Sequence, residues 1–128
     1  MIDEIKDLFD AALKVRENSY SPYSRFKVGA AVQTSSGKIF AGTNVENSSF
    51  GATVCAERIA IFKAVSEGER SIDRIVLVTD LVKPAAPCGI CRQVMSEFNS
   101  HLEIYLCNTK GDCVKYNLQE LLPEQFSL

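Results

Sequence analysis

Residues 75–92 read Ile75-Val76-Leu77-Val78-Thr79-Asp80-Leu81-Val82-Lys83-Pro84-Ala85-Ala86-Pro87-Cys88-Gly89-Ile90-Cys91-Arg92. Ile75 to Val78 is apolar at every position and mostly β-branched, which suits a central strand covered on both faces. Pro84 and Pro87 bracket a loop, and Pro87 sets the entry to a helix predicted from Cys88 to Asn99. A strand buried on both faces needs helices above and below it, and the flanking sequence supplies them. Ile2, Ile5, Leu8, Phe9, Ala12 and Leu13 recur at helical spacing, predicting an amphipathic helix over residues 2–17. Residues 54–67 carry Ala56, Ile59, Ala60, Phe62, Ala64 and Val65 and end at Gly68, a helix expected to be buried on most sides.

Strands come from the remaining apolar runs. Residues 26–32 and 38–42 flank Ser35-Ser36-Gly37 as a predicted hairpin, and residues 102–107 and 113–116 flank Lys110-Gly111-Asp112 as another. Residues 19–24 read as a loop, and residues 118–122 as a short closing helix. The resulting order, α-β-β-α-β-α-β-β, places the chain in the α/β class. It implies a mixed five-stranded sheet with helices on both faces, folded as one domain over residues 1–128.

Composition narrows the function. The chain has 128 residues, a net charge of −2 and no Lys/Arg run longer than two. A protein that tracks a phosphate backbone carries a basic stripe, so long nucleic acid is not an expected partner. The N-terminus is acidic and amphipathic rather than basic then apolar, and no run approaches membrane-spanning length. A cytoplasmic location without membrane attachment is the expectation. Five cysteines, with one C-x-x-C pair, then read as metal or redox chemistry rather than a disulfide framework.

Cys55-Ala56-Glu57-Arg58 and Pro87-Cys88-Gly89-Ile90-Cys91 both lie where the chain enters a predicted helix. Unpaired N–H groups at a helix N-terminus carry partial positive charge, which stabilises a thiolate. Three thiolates leave a tetrahedral zinc ion one open position, the arrangement of a catalytic rather than a structural site. Cys107 and Cys113 could offer a fourth sulfur but lack paired spacing, and His101, the only histidine, is expected at the surface. The set matches the deaminase signature H-x-E…P-C-x-x-C in a three-cysteine form. Glu57 is the expected proton carrier beside the metal. Arg58 is expected to donate hydrogen bonds to thiolate sulfur, offsetting the negative charge of three anionic ligands.

Ser21-Pro22-Tyr23-Ser24, Phe26-Lys27-Val28-Gly29-Ala30-Ala31, Asn44-Val45-Glu46-Asn47, the two cysteine blocks and Glu120-Leu121-Leu122-Pro123 occur in an order that resembles the small homotetrameric cytidine deaminases. The resemblance covers nearly the whole chain. It implies one Zn²⁺ per subunit and hydrolysis of cytidine and 2′-deoxycytidine to the uridine nucleosides in pyrimidine salvage, with zinc-bound hydroxide attacking C4 and ammonia leaving. It implies further that Asn44 and Glu46 hold the ribose hydroxyls, as alternate residues of an extended segment can when they chelate a diol. Phe26 would pack against the nucleoside, while the backbone around Ala56 and Pro87, with Glu57, would read the pyrimidine. Phe126 and Phe50 would reach a neighbouring subunit's site, making active sites shared within a homotetramer. Two positions depart from the family pattern: Phe50 stands where a tyrosine is frequent, and Ala86 lacks a hydroxyl some relatives carry.

The residues alone leave other readings open. A zinc-stabilised binding module would need a fourth protein ligand and would give Glu57 no task. A thiol redox protein would use Cys88 and Cys91 and leave Cys55 idle. A nucleoside-antibiotic deaminase is the nearest enzymatic rival.

Overall fold

The computed structural model describes residues 2–128. A 3₁₀ turn (Ile2–Ile5) leads into α1 (Lys6–Arg16), followed by β1 (Gly29–Thr34), β2 (Ile39–Thr43), α2 (Ala56–Ser66), β3 (Ile72–Thr79), α3 (Gly89–Phe98), β4 (Glu103–Asn108), β5 (Cys113–Asn117) and α4 (Leu118–Leu121). The five strands form one sheet in the order β2-β1-β3-β4-β5. β3 and β4 are parallel, and every other neighbouring pair is antiparallel. A parallel pair needs a crossover, and α3 makes it.

Strand periodicity divides the core in two. Ala30, Val32, Ile75, Leu77, Ile104 and Leu106 point to the side packed by α2, α3 and α4. Ala31, Val76, Val78, Tyr105 and Cys107 point to the other side, against Leu8, Phe9 and Ala12 of α1. The mixed sheet with helices on both faces is therefore as the sequence predicts.

Glycine sets the closest helix–sheet approaches. A Cβ on Gly29 would lie 1.9 Å from the Ala12 carbonyl oxygen, and one on Gly42 would lie 2.5 Å from the Ala60 backbone nitrogen. Gly42 thus lets α2 press directly onto β2 at Ile59 and Ala60, which fixes the height of the helix above the sheet there.

Three expectations need correction. Residues 26–28 do not extend β1, because side chains take their backbone groups. Asn44 Nδ2 donates to the Phe26 carbonyl at 2.7 Å, the Val28 N–H donates to Asn44 Oδ1 at 3.0 Å, and Thr43 Oγ1 donates to the Val28 carbonyl at 2.7 Å. α2 is not covered all round: Ala60, Ile61 and Ala64 are buried, but Phe62 keeps 45% of its surface exposed. Finally, Cys107 and Cys113 form a disulfide. They are register partners in β4 and β5 with Cα atoms 4.1 Å apart, a closeness that strand pairing imposes and spacing along the chain does not announce.

Candidate active site

Cys55 is the N-cap of α2 and Cys88 the N-cap of α3, with Cys91 in the first turn of α3. Loop geometry aims both helix N-termini at one place. The three sulfurs lie within 4.8 Å of one another, 3.8 Å between Cys55 and Cys88 and 3.2 Å between Cys88 and Cys91. Tetrahedral zinc with Zn–S bonds of about 2.3 Å needs sulfurs about 3.8 Å apart, so the Cys55–Cys88 edge already fits and the Cys88–Cys91 edge opens by about half an ångström. The donor set suits zinc, and the second pair of cysteines is committed to its disulfide.

The electrostatics follow from this crowding. The Cys55 thiol is lowered to about 5, first by a hydrogen bond from Cys91, with Arg58 and Cys88 adding to the effect. Cys91, buried and sharing that proton, is pushed upward. Arg58 Nη2 donates to Cys55 Sγ at 3.6 Å and to the Thr53 carbonyl at 3.4 Å. Among the described residues its Nε is buried without a partner. Glu57 is 4% exposed, and burial, reinforced by the Cys55 charge, raises its carboxyl above the ordinary value.

Above this cluster lies a pocket of about 260 Å³, walled by Ser24, Phe26, Val28, Leu77 and Thr79 and by residues of the 44–57 and 85–88 segments. Asn44, Glu46, Cys55, Ala56, Glu57 and Cys88 all reach its lining. Asn44 and Glu46 are buried and are held from behind by the 19–28 segment. Asn44 Oδ1 accepts from Ser19 Oγ at 2.6 Å and from the Val28 N–H, and one Nδ2 proton goes to Phe26. Glu46 Oε1 accepts the N–H groups of Tyr23 and Ser24 at 2.9 and 3.1 Å, and Oε2 accepts from the Ser24 hydroxyl.

The family "Cytidine and deoxycytidylate deaminase zinc-binding region" matches residues 2–107. The chain belongs to the cytidine and deoxycytidylate deaminase family. Cytidine deaminase from Sporosarcina psychrophila is 46% identical over 125 residues, covering 97% of this chain and 92% of the relative. Cytidine deaminase from Halalkalibacterium halodurans is 47% identical, covering 94% and 92%. The 1.6 Å crystal structure of cytidine deaminase from Burkholderia pseudomallei superposes with a TM-score of 0.91 at 47% identity, over 94% of this chain and 98% of that one. The α/β fold of this deaminase chain is that of its family, and its three-cysteine cluster is consistent with one zinc in the family's zinc-binding region.

Not every residue singled out in the sequence reaches the pocket of this deaminase. Pro87 is buried beside the wall, and its carbonyl accepts Arg92 Nε at 2.9 Å, so Ala86 and Cys88 on either side form the lining instead. Phe50 lies in a 3₁₀ turn, Phe50–Ala52, 73% exposed, edge-on to Tyr23 with ring centroids 5.6 Å apart. Phe126 is 65% exposed and tied by its carbonyl to Gln93 Nε2 at 3.1 Å. His101 is exposed, as expected. Sequence reasoning gave no site role to Ser24, Val28, Thr53, Leu77, Thr79 or Ala85. For Ser24 and Val28 a signal existed, since both lie in the blocks that carry the family resemblance.

Proposed function

We propose that this chain hydrolyses free cytidine and 2′-deoxycytidine to uridine and 2′-deoxyuridine. The C4–N bond breaks, a C4–O bond forms from water, and ammonia leaves. One observation carries the reading: Cys55 and Cys88 of the three-cysteine cluster and a buried glutamate lie on the lining of the same small pocket as Asn44 and Glu46.

Cys55, Cys88 and Cys91 would hold the zinc. A zinc held there would supply Lewis acidity that lowers the pKa of a water molecule. Glu57 then carries protons. Burial raises its carboxyl above the ordinary value, which favours holding a proton between its release from water and its delivery to a ring nitrogen and a departing amine. Ala56 lies in the first turn of α2, where N–H groups lack intrahelical partners, and offers a donor to the pyrimidine's polar edge. Phe26 supplies an apolar wall.

The hydrogen-bond inventory refines the sugar contact. Among the described residues Asn44 has one N–H left to give, and Glu46 has spare acceptor capacity only on Oε2. One donor with one acceptor suits a single hydroxyl, which both donates and accepts, better than chelation of a diol. Ribo- and 2′-deoxyribonucleosides are then bound alike. Among the described residues no Lys or Arg lines the pocket, which favours nucleosides over nucleotides.

Residues 1–128 act as one deaminase domain in this reading, in a homotetramer whose neighbouring subunits lend Phe126 and Phe50. Their exposure, with that of Phe62, supports it, because large apolar side chains left in water gain by burial in an assembly. Among the described residues no helix is long and apolar enough to cross a membrane, and we place the enzyme in cytoplasmic pyrimidine salvage.

The test is an ultraviolet assay of cytidine turnover on wild type and Glu57→Gln, with zinc measured on the same samples. The expected outcome is retained zinc with kcat lower by about 10²–10⁴-fold. Undiminished turnover in Glu57→Gln would sink the mechanism.

A further inference from the structure

Glu46 can orient a sugar hydroxyl only if its own carboxylate is held still, and the structure shows how that is done. Both N–H groups on Oε1 come from one turn, Tyr23 and Ser24. The Ser24 hydroxyl donates to Oε2, so a single residue contacts both oxygens of the carboxylate. The direction of that hydroxyl is itself set. Ser24 Oγ accepts the Phe26 N–H at 3.1 Å, which occupies a lone pair and leaves the hydroxyl proton to point at Glu46. Arg25, between them, sits at φ 58, in the left-handed region, and its N–H donates to the Ser21 carbonyl at 2.9 Å. The Ser24–Phe26 bond spans this residue and holds the turn closed. The main chain adds a further tie, since the Glu46 N–H donates to the Tyr20 carbonyl at 2.8 Å. Every one of these partners comes from residues 20–26.

We propose that Ser24 is a positioning residue that directs the free lone pair of Glu46 Oε2 toward the sugar hydroxyl of the bound nucleoside. The inference rests on the sugar-binding role proposed above for Asn44 and Glu46. The Ser24 hydroxyl is also the largest of the influences that keep the Glu46 carboxyl below its ordinary value, so it favours the ionised, accepting form. Removing it leaves Oε1 anchored by backbone but frees Oε2 to take a water in place of substrate. The loss falls on the sugar contact and not on the bond-breaking step, because Ser24 makes no hydrogen bond to Glu57 or the cysteines.

The experiment measures kcat and KM for cytidine and for 2′,3′-dideoxycytidine, which lacks both secondary hydroxyls, in wild type, Ser24→Ala, Ser24→Thr and Ser24→Val, with zinc content as a check on each. Ser24→Ala should raise KM for cytidine about tenfold or more, the weight of one hydrogen bond to a charged group, with a much smaller change in kcat. KM for dideoxycytidine should move less than about twofold, because that ligand has nothing for Glu46 to hold. Ser24→Thr should restore the cytidine KM. Ser24→Val, which has the shape of threonine without its hydroxyl, should behave as alanine does, so the Thr/Val comparison decides the matter even if alanine disturbs the turn. A cytidine KM equal in the Thr and Val variants, or an equal rise for both substrates, overturns the proposal while leaving the sugar-binding reading intact. A wild type that does not distinguish cytidine from dideoxycytidine removes that reading and this inference with it.

Discussion

Replacing Arg58 by alanine tests how a zinc site with three anionic ligands stays tight. Zinc and three thiolates sum to a formal charge of −1, so a nearby cation is needed to keep the ligand charge from driving protons onto sulfur. Arg58 supplies it through Nη2, 3.6 Å from Cys55 Sγ and 3.4 Å from the Thr53 carbonyl. The guanidinium is only partly buried, so solvent screens its long-range Coulomb attraction, and the directed, charge-assisted hydrogen bond is the larger contribution. Losing a partner of this kind costs about 10–100-fold in metal affinity, or about 1.4–2.7 kcal/mol. The sign in pH follows from Cys55. Arg58 helps to hold that thiol near 5, so without it protons compete for the sulfur at higher pH. Where all three thiols are taking up protons, apparent affinity falls about a thousandfold per pH unit. A 10–100-fold loss therefore moves the midpoint of acid-induced zinc release upward by about 0.3–0.7 pH unit. A chromophoric chelator titrated against wild type, Arg58→Ala and Arg58→Lys reads this directly. Lysine, with charge but no planar fork, should fall between the other two. Coincident midpoints for wild type and Arg58→Ala would refute the charge-balance account.

The other expectations concern cysteines and aromatics away from the metal. Replacing Cys107 and Cys113 together by serine should leave zinc content unchanged and lower stability by at most about 2 kcal/mol, because the loop they close is short and the hairpin already closes it. A urea titration with zinc analysis checks both parts, and zinc loss would make one of these sulfurs a ligand. Phe126→Ala should raise KM for cytidine about 5–100-fold, the weight of one base–aromatic stack, with kcat nearly held. An unaltered KM would remove Phe126 from the neighbouring subunit's site.

Much of the fold was legible because its signals are local. The apolar run Ile75–Val78, the helical spacing from Ile2 to Leu13 and the turn residues near Gly37 and Gly111 each report on a few consecutive residues, and each became the element it predicts. The loop residues were less legible because they depend on distant partners. Residues 26–28 look like strand, yet Asn44, 18 positions from Phe26, captures their backbone instead. The run in α2 looks buried on most sides, yet Phe62 keeps 45% of its surface exposed because, among the described residues, no other element packs over it. Cys107 and Cys113 look unrelated until β4 and β5 come into register.

The chemistry divides the same way. Sequence alone determined the kinds of group and their local spacing: Cys88 and Cys91 are three apart and so share the first turn of a helix, and Glu57 follows Cys55 into the next. Those relations come from helix geometry, which a few residues encode. Only the tertiary structure decided that the two helix starts meet, that Glu57 is buried enough for its carboxyl to be raised, and that Pro87 spends its carbonyl on Arg92. Only it decided that Ser24, 22 residues from Glu46, holds that carboxylate. Burial and long-range hydrogen bonding are properties of the packed chain, and no short stretch of sequence carries them.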